Sequence, residues 1–263
     1  MARRDDVRRI AEGLERAREV LRGFTAGEVA HRRKAGGDPV TEADLAINEV
    51  LHEVLPEEGE GWLSEETADG EDRLTRERLW VVDPLDGTKE FVTGVPEWCV
   101  SVGLVEGQRA VAGGIAIPAR GLTIIGAIGE GVRVNGEPVR ARSRESLESA
   151  EVLASRSEVG RGEWERFDSA PFRIRPMGSV ACKMGLVAAG QADATWTLVP
   201  KHEWDVAAGT ALVRAAGGEV WCPDGTAPRF NRPRPRFEGL FAAAAGLRAS
   251  IERYFRETPT GRL

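Results

Sequence analysis

Lysine is scarce in this chain. It stands only at positions 34, 89, 183 and 201, and arginine carries nearly all the other positive charge. Acids outnumber bases, 42 Asp and Glu against 36 Lys and Arg, for a net charge of −6. That balance argues against a general nucleic-acid surface, so no nucleic-acid polymer is expected as a partner. Cysteine is sparse too. Cys99, Cys182 and Cys222 are odd in number and widely spaced, which fits reduced cytoplasmic thiols and matches no zinc pattern. The three histidines, His31, His52 and His202, are too scattered for a histidine metal site. No apolar stretch approaches membrane-spanning length, and the opening Met-Ala-Arg-Arg-Asp-Asp lacks a signal-peptide core. A cytoplasmic location, away from membranes, is the expectation.

What remains is ordinary globular composition, 41% hydrophobic and 30% charged. With 263 residues the chain can build one large domain or two intimately packed ones. Val7, Ile10, Leu14, Ala17 and Leu21 fall at helical spacing and predict an amphipathic helix from about Asp5 to Gly23. A basic loop follows, His31-Arg-Arg-Lys-Ala-Gly-Gly-Asp38. It reads either as a solvated loop or as a mobile segment able to close over an anion. A second helix starts at Thr41, with Ile47, Val50, Leu51 and Val54 as its apolar stripe and Pro56 as its stop. Thr41-Glu-Ala-Asp44 fits a variant capping box, which by itself explains Asp44 structurally. Trp62-Leu-Ser-Glu-Glu66 predicts a short strand running into two acids; solvation and ligation are both open to that pair.

The central stretch is Trp80-Val-Val-Asp-Pro-Leu-Asp-Gly-Thr-Lys-Glu-Phe91. Leu79 to Val82 predicts a buried strand that stops at Asp83-Pro84, with Asp86 in the same tight turn. Two acids at a strand mouth suit a hard cation, and free N–H groups at Gly87 and Thr88 suit a phosphate oxygen. A plain Asp-Gly turn is the simpler reading of the same residues. Val100 to Val105, Val111 to Ile117, Leu122 to Ile128 and Val132 to Val134 predict strands, with a hairpin turn at Asn135-Gly136. No helix follows Gly126, Gly129 and Gly131, so these are hairpin glycines rather than a nucleotide loop.

A polar stretch, Arg140 to Glu148, predicts a crossover between an N-terminal α+β half, 1–140, and a C-terminal α/β half, 141–263. In the second half, strands at 152–154 and 172–174 flank a helix at about Gly160 to Phe167. Val180 to Ala189 predicts a helix and Ala192 to Leu198 a strand. A helix from Trp204 to Ala216 follows, with Asp205 as its N-cap. Glu219 to Trp221 and Leu240 to Ala244 predict strands around a Pro/Arg loop at 229–236, and Leu247 to Phe255 a closing helix. The alternation is α/β in character.

Five acids, Asp44, Glu65, Asp83, Asp86 and Asp205, each fall at an end of a predicted element, and each has an adequate dull explanation alone. Spacing takes the matter no further. Trp62-Leu-Ser-Glu-Glu66, Asp83-Pro-Leu-Asp-Gly-Thr88 and Trp204-Asp-Val-Ala-Ala-Gly209 with Gly217-Gly218 downstream, preceded by Pro39-Val-Thr-Glu-Ala-Asp44, resemble in order the signatures of the inositol monophosphatase superfamily. The resemblance runs from about residue 34 to 244. It implies a layered α-β-α-β-α sandwich and a phosphomonoesterase site using two or three Mg²⁺ ions. By position, Glu65, Asp83, the Leu85 carbonyl, Asp86 and Asp205 would be metal ligands, most of them from the first half. Asp44 and Thr88 would form the catalytic pair that orients and deprotonates water. Gly87 and Thr88 N–H groups would hold the phosphate. The residue types suit that chemistry, since carboxylates match a hard cation and a metal acidifies water.

Two features resemble the 3′(2′),5′-bisphosphate nucleotidase branch: Thr88-Lys-Glu-Phe91 and Ser64 before the acid pair. A third is negative, since Leu198 stands where inositol monophosphatases usually place a carboxylate that touches sugar hydroxyls. Lys89, Ser179, Lys183 and Lys201 are the candidate substrate contacts. The resemblance therefore favours hydrolysis of 3′-phosphoadenosine 5′-phosphate to AMP, with lithium inhibition. The alternatives are an inositol-1-phosphate or broad sugar-phosphate phosphatase, and a non-catalytic metal- or phosphate-binding module. It also suggests a homodimer.

Overall fold

The computed structural model describes residues 3–34, 39–197 and 199–258. Helix α1 (Arg4–Leu21) leads to an antiparallel pair, β1 (His31–Arg33) and β2 (Pro39–Thr41), and then α2 (Glu42–Val54). A seven-stranded sheet follows in sequence order: β3 (Gly61–Ser64), β4 (Arg78–Asp86), β5 (Cys99–Glu106), β6 (Arg109–Ile117), β7 (Leu122–Ala127), β8 (Gly131–Val134) and β9 (Glu137–Val139). The pair β3/β4 is parallel and every later pair antiparallel. A short helix, α3 (Thr88–Val92), interrupts the path between β4 and β5. At the predicted hairpin, Asn135 and Gly136 both take positive φ, 50° and 90°, as a two-residue turn between β8 and β9 requires.

The second half comprises β10 (Glu151–Ser155), α4 (Arg156–Gly160), β11 (Arg173–Met177), α5 (Val180–Ala188), β12 (Ala194–Trp196), β13 (Lys201–His202), α6 (Glu203–Ala215), β14 (Glu219–Trp221), β15 (Arg236–Phe237), β16 (Phe241–Ala243) and α7 (Arg248–Glu257). Its main sheet has the order β11-β10-β12-β16-β14, parallel through β12 and antiparallel around β16. We propose the division near residue 140 because the first sheet ends at Val139 and the second begins at Glu151.

Strand alternation builds the layers. Trp80 and Val82 of β4 face Ile10, Leu14, Ile47 and Leu51 of α1 and α2. Leu79 and Val81 face the other way, into a core shared with α5 and α6, and Leu153, Val220 and Ala242 of the second sheet close that core. Beyond the second sheet, Trp164, Phe167, Trp196, Trp221, Phe241 and Ile251 form an aromatic outer layer. The result is the α-β-α-β-α sandwich. Each fully buried Leu, Ile or Val in it contributes about 1.5–3 kcal/mol of transfer free energy. At Gly113 an added Cβ would lie 2.7 Å from the Ala208 carbonyl oxygen, so a side chain there would push α6 off the first sheet.

Several expectations need correction. Strand β4 does not stop at Asp83; it runs on to Asp86 through a bulge. The helix expected at 160–167 lies earlier, at Arg156–Gly160, because Gly162 turns left-handed (φ 78°) and leaves only a 3₁₀ turn at Glu165–Phe167. Asp205 is not the N-cap of α6: His202 is, and Asp205 sits three residues on, accepting from the His202 N–H at 2.9 Å. The basic loop opens as strand β1, and Lys34 is ion-paired rather than solvated. Gly36, Gly37 and Leu198 lie outside the described residues. No described helix is long and apolar enough to cross a membrane.

Candidate active site

The bulge in β4 organises the centre. Asp83 pairs with Ser101 and Asp86 with Cys99, so β4 carries one residue more than its partner. Pro84, which has no N–H to give the ladder, falls inside that irregularity, where a proline is tolerated. The insertion re-aims the chain so that Asp83, Leu85 and Asp86 all border one cavity. Gly87 then takes φ 97°, and a Cβ there would meet the Glu97 carbonyl oxygen at 2.8 Å. Only glycine makes this turn without strain. Thr88 follows at the first position of α3, which presents its hydroxyl back toward β4.

Thr88 Oγ1 lies 2.9 Å from Asp44 Oδ1 and 2.9 Å from the Leu85 carbonyl oxygen. It has a single proton, so it donates to one of them at a time and keeps lone pairs to accept from a third group. Asp44 Oδ2 accepts from the Thr41 N–H at 2.8 Å and its hydroxyl at 2.6 Å, the predicted capping box. Capping and contact with Thr88 are thus shared between the two oxygens of one buried carboxyl.

Glu65, Asp83, Asp86 and Asp205 border the same cavity, of about 470 Å³, together with Thr88. Each is oriented by its own surroundings. Asp86 Oδ2 accepts from the Ser179 hydroxyl at 2.7 Å and the Ala181 N–H at 2.6 Å, at the N-terminus of α5. Asp83 Oδ1 accepts from the Leu85 N–H at 3.1 Å. Lys34 Nζ pairs with Glu65 at 2.6 Å and Glu66 at 2.5 Å. Burial pushes Asp83 well above the usual carboxylate range, and Glu65, Asp86, Asp205 and Asp44 push it further by repulsion. Burial and then Asp86 raise Asp205 to about 8, against the pull of Lys201. Burial raises Glu65 against the pull of Lys34. Acids therefore crowd one another around Asp83 and Asp205.

The candidate substrate contacts separate into two kinds. Lys89 and Lys201 border the cavity. Lys183 also borders it but is buried, with its ammonium donating to the Ser179 carbonyl at 3.0 Å and the Met177 carbonyl at 3.4 Å; burial lowers its pKa. Ser179 spends its hydroxyl on Asp86 and caps α5 by accepting from the Cys182 N–H. Ser64 is likewise engaged within the fold, donating to Asn48 Oδ1 at 2.6 Å. Glu90, part of the Thr88-Lys-Glu-Phe91 motif, borders the cavity too, as do Glu158 and Arg161, which no motif singled out.

A model of the inositol monophosphatase family matches residues 4–257. The chain belongs to that family. It is 31% identical over 255 residues to inositol monophosphatase 1 of Solanum lycopersicum, covering 90% of this chain and 93% of that one. The solved IMPase of Thermotoga maritima superposes with a TM-score of 0.81 at 27% identity, over 98% of each chain. CysQ of Bacteroides thetaiotaomicron, a bacterial member of the inositol monophosphatase family, superposes with a TM-score of 0.75 at 26% identity, over 91% of this chain and 97% of that one. This is a family of phosphate-ester hydrolases.

A divalent cation is what such a family implies, and the donors here are of the right kind: carboxyl oxygens and the Leu85 carbonyl, all hard. A dication among them would relieve the repulsion that raises Asp83 and Asp205. Among the described residues, no group of three or more Asp, Glu, His or Cys side chains is already drawn together as a metal cluster. Glu65 is paired with Lys34. The residue set fits the ion in chemistry.

Proposed function

We propose that this chain is a Mg²⁺-dependent phosphomonoesterase. Glu65, Asp83, the Leu85 carbonyl, Asp86 and Asp205 would hold the metal. When bound, Mg²⁺ would offset the charge of the phosphate and acidify a coordinated water. Asp44 and Thr88 do the rest of the proton work. Thr88 donates to Asp44 and can at the same time accept from a water, so a proton leaving that water has a relay to the carboxyl. The N–H groups of Gly87 and Thr88, at the left-handed turn, would orient the phosphate. Asp86, tied to Ser179 and Ala181, couples the first half of the chain to the second at the point of reaction. The observation carrying this reading is the Asp44–Thr88 hydrogen bond, formed across 44 residues, with Thr88 on the wall of the cavity that Glu65, Asp83, Asp86 and Asp205 also line.

For the ester, we take an inositol or sugar monophosphate as the first choice and the adenosine bisphosphate as the second. The nucleotidase preference drawn from Thr88-Lys-Glu-Phe91, Ser64 and Leu198 weakens, because Ser64 bonds Asn48 within the fold and Lys183, a candidate contact for a second phosphate, is committed to backbone carbonyls. That leaves fewer free cations for a second phosphate. Thr88-Lys-Glu-Phe91 and the likeness to CysQ keep the nucleotide as the second reading. Steady-state turnover of inositol 1-phosphate, fructose 1,6-bisphosphate and the adenosine bisphosphate, with and without Mg²⁺, tests both levels. Activity that survives complete removal of divalent cations would overturn the metal assignment. A kcat/KM at least tenfold higher for the adenosine bisphosphate would restore the nucleotide reading. Millimolar Li⁺ should inhibit, and Asp86→Asn should abolish turnover with the fold retained. Cytoplasmic location and a homodimer belong to the same proposal.

A further inference from the structure

Glu158 is the third residue of α4 and is 1% exposed. One carboxyl oxygen, Oε2, accepts from the Trp164 indole N–H at 2.8 Å. The other, Oε1, is buried and has no hydrogen-bond partner. A buried carboxyl oxygen left without a donor costs about 1–3 kcal/mol or more, so such an atom calls for an explanation. Glu158 borders the same cavity as Asp86 and Thr88, beside Ser155 and Ser157. The nearby ammonium of Lys183 does not pair with it, donating to Met177 and Ser179 carbonyls instead. The indole of Trp164, itself buried against Trp196, holds the carboxyl in place, so Oε1 is a fixed acceptor rather than a mobile one.

We infer that Glu158 is a specificity-determining residue whose Oε1 accepts a hydroxyl proton from the alcohol portion of the ester. This rests on the phosphomonoesterase reading above. An ester with a hydroxyl near the phosphate completes the hydrogen bonding of the site. An ester with a bare hydrocarbon in that place leaves Oε1 unpaired. A site built around a polar group rejects analogues that lack the partner far more strongly than an apolar pocket rejects an added hydroxyl.

The test compares inositol 1-phosphate with cyclohexyl phosphate, the same ring without hydroxyls, in the wild type and in Glu158→Gln. Glutamine keeps an acceptor for Trp164 and turns the unpaired group from acceptor to donor. The wild type should favour the hydroxylated ester by at least ~10-fold in kcat/KM. In E158Q that ratio should fall by ~10-fold, through loss on inositol 1-phosphate alone, with cyclohexyl phosphate changed less than ~2-fold. An unchanged ratio, or equal losses on both esters, would overturn the assignment. So would a wild type that shows no preference, a measurement that does not depend on the variant folding. A wild type that hydrolyses neither of these esters nor any other phosphate monoester would instead overturn the phosphatase reading and leave the cause of failure plain.

Discussion

Replacing Thr88 by valine removes one hydroxyl and little volume from a nearly buried position. Asp44 Oδ1 and the Leu85 carbonyl, both at 2.9 Å in the wild type, lose the single proton they share. A hydrogen bond to a charged group is worth about 1.5–3 kcal/mol. Asp44 retains two donors from Thr41, so the low end applies. At about 2–4 °C per kcal/mol for a chain of this size, the melting temperature should fall by about 3–6 °C. The kinetic effect should be far larger, because Thr88 is the proposed link between water and Asp44. A general-base relay is worth about 10²–10⁴-fold, and the loss should appear in kcat with KM nearly unchanged. Thr88→Ser, which restores the hydroxyl, should recover most of it. Steady-state kinetics on inositol 1-phosphate at saturating Mg²⁺, beside thermal melts, measures both. A T88V enzyme within tenfold of the wild type would refute the pair as the proton relay.

Acid stability should report Glu60. Its burial favours the neutral form, but hydrogen bonds from Arg9, Trp80 and Arg78 outweigh that and hold its pKa to about 2. A depressed carboxyl stabilises the fold above its unfolded pKa of about 4.5 and ceases to as pH falls toward 2; after allowance for solvent screening the contribution is about 1–2 kcal/mol. Melts between pH 5 and 2 should show that slope, and Glu60→Gln should flatten it. Lys34→Met should lower the Mg²⁺ concentration giving a half-maximal rise in melting temperature, since the lysine competes for Glu65 and Glu66; an unmoved midpoint would dissociate Lys34 from the metal site. Gly113→Ala should cost about 1–3 kcal/mol through its clash with the α6 backbone, read by urea denaturation, and an unshifted midpoint would contradict the close approach.

Much of the scaffold was legible from local pattern. Ile10, Leu14, Ile47 and Leu51 declared their helices by spacing, and Asn135-Gly136 declared its hairpin, because helical period and left-handed turns are properties of a few neighbouring residues. Boundaries failed where a distant constraint intervened. The strand through Asp83 continued because β5 supplies a pairing partner across a bulge, which Pro84 alone does not disclose. Ser179 and Lys183 looked like substrate contacts because their charge or hydroxyl was visible; their partners, Asp86 and the carbonyls ahead of α5, were not.

Local pattern alone disclosed the acids, the order of the helices and strands, and three ordered motifs specific enough to indicate the family. Stacking of the layers was needed to bring Thr88 to Asp44, to set Lys34 on Glu65 and Glu66, and to bury Glu158 at the cavity wall with one carboxyl oxygen unpaired. Helical and strand propensities act over a few residues, whereas hydrogen bonds and ion pairs act between atoms whose meeting depends on how whole layers stack.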